Sequence, residues 1–373
     1  MRANDHPRPS KRISVAISIV LFTVAIPALL HADAPYTVTI AADNRAIQFS
    51  GRTEGIGTAK VTFGWSGDRM RLRFRGSSSV GVFLDDNSGE NYAMAWIDGQ
   101  PGKKFRLNAS DGFYAVVEGL DEGEHTVEVV RVTECNFGLT HFRGFALDRG
   151  AEVLPWPGAH DRKIEFIGDS ITCGYGVEVD DPNLHFEPAT ENFCLGYSAL
   201  TARQLDADYL VVARSGIGMV RNFDGPRDGS DGTMPQVYPH TFFLRPDSDW
   251  DHRRFTPDVV CLNLGTNDFS TTGVNVEKLV AAYTKFLALL LERYPDAKIV
   301  LVQGPMENSE ELRAALNEAI KRQGEAASNR VHRFALSPQG ALGYGADYHP
   351  NRAQSVVSAG ELTAFLSDLM NWR

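Results

Sequence analysis

The chain has 373 residues, 43% hydrophobic and 10% aromatic, a composition that excludes disorder and low complexity and can bury the cores of two ordinary domains. Its formal charge is −10, which disfavours nucleic acid and anionic polymers as partners and suits a neutral substrate.

Arg2, Arg8, Lys11 and Arg12 precede an apolar run from Ile13 to Leu30 that closes on Leu30-His31-Ala32. A basic start, an apolar stretch and a small residue predict a secretory signal peptide over 1–32, and so a secreted or periplasmic protein. A retained membrane anchor is the competing reading, but Ser14, Ser18, Thr23 and Pro27 interrupt the run and it is barely long enough to span. No later segment has the character of a span, so no membrane partner is expected after cleavage. Loss of 1–32 removes four basic residues and one acidic one and leaves the remainder more acidic still.

Over 35–152 come eight short, aromatic-rich pieces: "YTVTIAA", "AKVTFGW", "RMRLRFRG", "VGVFLDD", "YAMAWIDG", "FYAVVEG", "HTVEVVRVT" and "FRGFALD". They alternate with period two, and turn residues separate them, as at Asp98-Gly99. The pattern predicts an antiparallel β-sandwich, jelly-roll-like in outline.

"AEVLPWPGAHDR", with two prolines and a glycine, suits a linker. Beyond it, over 160–373, five runs are continuously apolar: "KIEFIG", "DYLVVA", "DVVCLNLG", "AKIVLVQG" and "VHRFAL". Such runs predict strands buried on both faces of a parallel sheet. Asn275 can cap a helix carrying Leu279, Tyr283, Phe286, Leu287 and Leu290, and Ser309 can cap another. The expected fold class is therefore α/β, a sandwich followed by a three-layer α/β/α domain. The stretch 221–257 is rich in Asp, Gly and Pro yet holds Tyr238, Phe242, Phe243 and Trp250; it is too long for an ordinary connection and is expected to pack across one rim of the sheet and shape the site.

Four cysteines, Cys135, Cys173, Cys194 and Cys261, permit a disulfide in an exported protein. Cys261 lies in an apolar run and reads as a buried thiol; for Cys173 and Cys194 a bridge and free thiols both stand open. No metal-ligand spacing occurs, so neither metal nor cofactor is expected.

Ligands of an open parallel sheet sit outside the carboxyl ends of its strands. Three of the apolar runs end there in small polar signatures: "FIGDSIT" at Ser170, "VVARSGIG" at Gly216 and Gly218, and "CLNLGTND" at Asn267. A fourth element, "GADYHPN" with Asp347 and His349, precedes the last helix. Serine, histidine, a carboxylate and hydrogen-bond donors are the parts of an acyl-transfer site. Each has an ordinary reading when alone: a helix cap for Ser170, a surface residue for His349, a turn for Asn267.

"GDSIT", "SGIG", "GTND" and "DYHP" resemble the four sequence blocks of the SGNH (GDSL-type) hydrolases, and no Gly-x-Ser-x-Gly elbow is present. With "FGWSG", "HTVEVVRVTE", "IEFIGDSITCGYG" and "PDVVCLNLGTNDF", the chain beyond the leader is similar to the acetylxylan esterases of carbohydrate esterase family 2. The resemblance implies Ser170 as nucleophile, His349 as its base, and an oxyanion hole from the Ser170 N–H, a glycine N–H and the Asn267 amide. Gly216 is the glycine chosen, although an ungapped alignment selects Gly218. Many SGNH hydrolases carry an Asp three residues before the histidine; here position 346 is Ala and Asp347 stands two before it. The family resembled shares this feature, and some members orient the histidine partly through a backbone carbonyl, so Asp347 and a carbonyl are both candidates for the orienting group. The implied substrate is an O-acetylated polysaccharide such as xylan or glucomannan, with Tyr238 or Trp250 as sugar-stacking candidates against the alternative of core aromatics. Two other readings compete: a carbohydrate-binding protein with a vestigial hydrolase half, and a lipolytic SGNH esterase.

Overall fold

The structure is a computed structural model that describes residues 36–158, 160–324, 327 and 329–372; the expected leader lies outside them. No helix among the described residues is long and apolar enough to cross a membrane.

Eleven strands among the described residues build the first half: β1 (Val38–Ala41), β2 (Gln48–Ser50), β3 (Val61–Phe63), β4 (Arg69–Arg75), β5 (Ser79–Asp86), β6 (Tyr92–Ile97), β7 (Gln100–Arg106), β8 (Phe113–Glu118), β9 (Glu124–Arg131), β10 (Thr140–Leu147) and β11 (Glu152–Leu154). They form two antiparallel sheets, β1-β10-β5-β8 with β3 on β10, and β11-β4-β9-β6-β7 with β2 on β4. Alternation places Val80, Val82 and Leu84 of β5 opposite Met70, Leu72 and Phe74 of β4 in one apolar core. A bulge between Phe142 and Gly144 shifts the register of β10 by one, so Phe142 and Phe145 both reach that core.

Three strands exceed the eight expected. β2 and β11 are three residues long, too short to show a period, and β11 falls within the expected linker. β7 lies at a sheet edge, mostly exposed, with Lys103, Lys104 and Arg106 where a half-buried strand would be apolar. Charge on an exposed edge disfavours pairing with another chain, and it hides the strand from a hydrophobicity pattern.

The second half is a parallel sheet of order β13-β12-β16-β17-β18, built from β12 (Arg162–Gly168), β13 (Ala207–Ala213), β16 (Val259–Asn263), β17 (Lys298–Gln303) and β18 (Val331–Ala335). All five expected runs are here. Successive residues of one strand face opposite cores, which is why no alternation is visible. Leu210, Val212, Val260, Leu262, Ile299 and Leu301 pack with α5 (Val276–Arg293) and α6 (Glu310–Lys321). Tyr209, Val211, Val259, Cys261, Val300 and Val302 pack on the other side with α2 (Tyr197–Gln204) and α7 (Arg352–Met370). Asn275 and Ser309 cap α5 and α6 as expected, their side chains accepting from the Lys278 and Leu312 N–H groups.

The stretch 221–257 holds a short helix, α3 (Met234–Val237), and a hairpin, β14 (His240–Phe242) with β15 (Arg245–Asp249). It serves the seam with the sandwich more than the site. Trp65 donates its indole N–H to the Thr241 carbonyl at 2.8 Å, and Arg52 reaches the Tyr238 and His240 carbonyls and the Glu165 carboxylate. Trp65 and Cys135 of the sandwich sit in the core shared with α5, and Met94, Trp96, Val130 and Val132 in the core shared with α2.

Candidate active site

Strands β13, β12 and β16 are neighbours although the chain runs β12, β13, β16, so the loops leaving β12 and β16 part at the centre of the sheet. That is the switch point where open α/β sheets hold ligands. Here a cavity of about 610 Å³ is lined by Ser170, Gly216, Asn267 and His349 together with Tyr175, Phe223 and Met306.

Ser170 opens α1 (Ser170–Cys173), a single turn directly after β12. Its cap is Asp169, whose carboxylate accepts the Ile171 N–H at 3.0 Å. Gly174 ends the turn in a left-handed conformation, φ +79°, where a Cβ would stand 2.5 Å from the Asn192 carbonyl oxygen. The hydroxyl is less open than a surface turn would make it: Ser170 is 4% exposed, in the lining of the cavity.

His349 Nε2 lies 2.9 Å from Ser170 Oγ. Its Nδ1 faces two backbone carbonyls, of Ala346 and Asp347, each at 3.1 Å. Two acceptors at Nδ1 assign the proton there and leave the Nε2 lone pair for the serine. The turn Ala346–Tyr348 makes this possible, because Asp347 (φ +48°) and Tyr348 (φ +60°) are left-handed and swing the carbonyls toward the ring.

The Asp347 carboxylate points elsewhere. It accepts from Tyr175 Oη at 2.7 Å, His185 Nδ1 at 2.8 Å and the Phe186 N–H at 2.9 Å. Burial disfavours its ionisation, but these bonds outweigh burial and hold the carboxyl below the usual carboxylate range. Tyr175 in turn stacks on the His349 ring, centroids 4.0 Å apart. Of the two orienting groups read from the sequence, the backbone carbonyls touch the imidazole and the carboxylate does so only through Tyr175.

Gly216 (φ +77°) lines the cavity, and no acceptor faces its N–H or that of Ser170 among the described residues. Gly218 is closed off, since its N–H donates to Asn222 Oδ1 at 3.1 Å and a Cβ there would lie 2.0 Å from the Arg221 carbonyl oxygen. Asn267, in α4 (Thr266–Phe269) after β16, donates from Nδ2 to the Ile217 carbonyl at 2.8 Å and to Asp169 Oδ2 at 3.4 Å.

Asp268 and Arg221 escape the sequence reading. The buried Asp268 carboxylate accepts the N–H groups of Met219, Val220 and Arg221 at 2.9, 2.8 and 3.1 Å, pinning the loop that carries Gly216. Arg221, wholly buried, bridges the carbonyls of Gly225 and Asp268. Within "GTND" an aspartate reads as a helix cap; nothing local says that it holds a loop some fifty residues earlier.

Tyr238 and Trp250 do not line the cavity. Tyr238 is fully buried, its hydroxyl donating to Glu165 at 3.0 Å, and Trp250 is 6% exposed beneath the guanidinium groups of Arg52 and Arg254. Both fill the seam between the halves, so the sugar-stacking expectation gives way to that of core aromatics. Phe223, 63% exposed, is the aromatic of that stretch at the cavity. Cys173 and Cys194 are free, buried thiols with different neighbours, Ser66 for the first and Trp96 for the second.

The chain matches the family model Carbohydrate esterase 2 N-terminal over residues 49–157 and the GDSL-like Lipase/Acylhydrolase family over 166–354. An acetylxylan esterase / glucomannan deacetylase of Cellvibrio japonicus is 32% identical over 90% of this chain and 92% of that protein. The chain belongs to carbohydrate esterase family 2. The cellulase/esterase CelE of Acetivibrio thermocellus is 36% identical over 88% of this chain, which spans 40% of the length of that protein. A family two carbohydrate esterase from Clostridium thermocellum, solved in complex with cellohexaose, superposes with a TM-score of 0.82 at 34% identity, covering 88% of this chain and 100% of that one. The half carrying Ser170 is thus a carboxylic ester hydrolase domain of the GDSL type.

Proposed function

We propose that this family 2 esterase removes O-acetyl groups from plant cell-wall polysaccharides, acetylated xylan or glucomannan, through an acetyl-enzyme on Ser170. The observation that carries the reading is the 2.9 Å contact between His349 Nε2 and Ser170 Oγ in the lining of the cavity. His349, proton on Nδ1, takes the serine proton at Nε2 as Oγ attacks the acetyl carbonyl. The Ala346 and Asp347 carbonyls steady the imidazolium that results. The Ser170 and Gly216 N–H groups and the Asn267 amide receive the oxyanion, whose arrival displaces the longer Asn267 contact, the one to Asp169. Collapse expels the sugar hydroxyl with the proton from Nε2, and water repeats the cycle to release acetate. Phe223 offers a sugar ring an apolar face at the rim, the acidic chain suits a neutral polymer, and the leader-like 1–32 supports export. The test is acetate release from both polymers, with nitrophenyl esters of rising acyl length beside them. Activity should fall with length; a rise would favour the lipolytic reading.

Burial lowers the pKa of His349 to about 4, against the pull of the Ala346 and Asp347 carbonyls. A base must be neutral, and this one is neutral above that value. The kcat/KM profile should therefore stay flat into mild acid and fall only as pH drops through about 4; an acid limb at the ordinary histidine value of about 6.5 would contradict it.

Asp347→Asn tests how the imidazole is oriented. The backbone carbonyls remain, while the charge and part of the hold on Tyr175 are lost. The expected cost in kcat/KM is about tenfold, roughly 1.4 kcal/mol. A loss of several orders of magnitude, as when the carboxylate of a strict triad is removed, would return the orienting role to Asp347.

A further inference from the structure

Three consecutive residues of the sandwich grip three consecutive residues at the end of β13. Glu134 Oε2 accepts the Ser215 N–H at 2.6 Å, Asn136 Oδ1 accepts from Arg214 Nε at 3.0 Å, and Cys135 Sγ approaches the Ala213 carbonyl at 3.8 Å. The next residue is Gly216.

The gripping turn is itself rigidly held. Arg131, 1% exposed, donates from Nε to the Thr133 carbonyl, from Nη2 to the Glu134 carbonyl and from Nη1 to Thr140 Oγ1, at 3.1, 2.8 and 2.9 Å. The Glu134 N–H donates to Glu191 Oε2 at 3.0 Å. Glu134, 2% exposed, therefore has little freedom to leave Ser215.

A glycine at φ +77° has no side chain to fix its peptide, so the direction of its N–H must be imposed by neighbours. Two buried carboxylates do this from opposite ends of the loop, Asp268 at Met219, Val220 and Arg221, and Glu134 at Ser215. The first belongs to the hydrolase half; the second is delivered by the sandwich.

We propose that Glu134 is a positioning residue for the Gly216 oxyanion donor, which makes the N-terminal sandwich a working part of the esterase site. The proposal rests on the oxyanion role given to Gly216 above. A donor displaced by about 1 Å can cost up to about 10²-fold in rate while ground-state binding is untouched.

The test measures kcat and KM on nitrophenyl acetate, with melting temperature, for Glu134→Ala and Glu134→Gln. Glutamine keeps a side-chain carbonyl for the Ser215 N–H; alanine does not. Glu134→Ala should lose about ten- to a hundredfold in kcat with KM nearly unchanged, and Glu134→Gln should recover most of it. If Glu134→Ala does not fold, Glu134→Asp, one methylene short, should show an intermediate loss in kcat. A wild-type kcat in Glu134→Ala, a loss confined to KM, or a glutamine variant no better than alanine would overturn the proposal. Ser170→Ala in the same assay separates the two readings: if it stays active the site itself is misassigned, whereas if it is inactive while Glu134→Ala behaves as wild type, only the role of Glu134 fails.

Discussion

Replacing Ser170 by alanine is expected to bring acetate release from acetylated xylan and from nitrophenyl acetate down to background while leaving the protein folded. The hydroxyl meets His349 Nε2 and no other protein group among the described residues. The helix cap is the neighbouring Asp169, so alanine as the first residue of α1 disturbs no backbone bond. The stability cost should be that of one hydrogen bond, about 1 kcal/mol. Acetate quantified by proton NMR beside a thermal melt checks both halves of the expectation. Activity near wild type in a folded variant would remove Ser170 from the chemistry.

His349→Ala should be almost as damaging, a loss on the order of 10³-fold or more in kcat, because a nucleophile without its base keeps only the oxyanion hole and substrate binding. Residues that act as one unit do not add their effects, so Ser170→Ala with His349→Ala should be no worse than either alone. A double variant whose loss is the product of the two single losses would mean that the residues work separately, against the 2.9 Å contact between them. The variant should also lack the acid limb near pH 4, since the group that titrates there is gone.

Three of the cavity's main residues can be read from the sequence because each follows a run long and apolar enough to be a buried strand. Ser170, Gly216 and Asn267 stand just beyond β12, β13 and β16, and the parallel topology alone brings their loops to one end of the sheet. His349 has no strand before it and is placed by motif. What sequence cannot reveal is the direction in which a side chain points. Asp347 is two residues from His349, yet left-handed backbone turns its carbonyl, not its carboxylate, to the ring. An aromatic in an Asp- and Gly-rich stretch reads equally as platform or core, and for Tyr238 the deciding partners are Glu165 and Arg52, 73 and 186 positions away. Glu134 and Ser215 are 81 positions apart in different halves of the chain, so nothing local in "RVTECN" announces their contact. The strands left unread, β2, β7 and β11, are those too short or too exposed to carry a period.

The most direct measurement titrates the enzyme with a serine-reactive fluorophosphonate, maps the modified residue by peptide mass spectrometry and follows acetate release from acetylated glucomannan on the same samples. A single label on Ser170, with activity falling in proportion to the labelled fraction and no labelling in Ser170→Ala, is the expected result. Label on another residue with loss of activity, or full occupancy of Ser170 with acetate release intact, would contradict a Ser170 acetyl-enzyme.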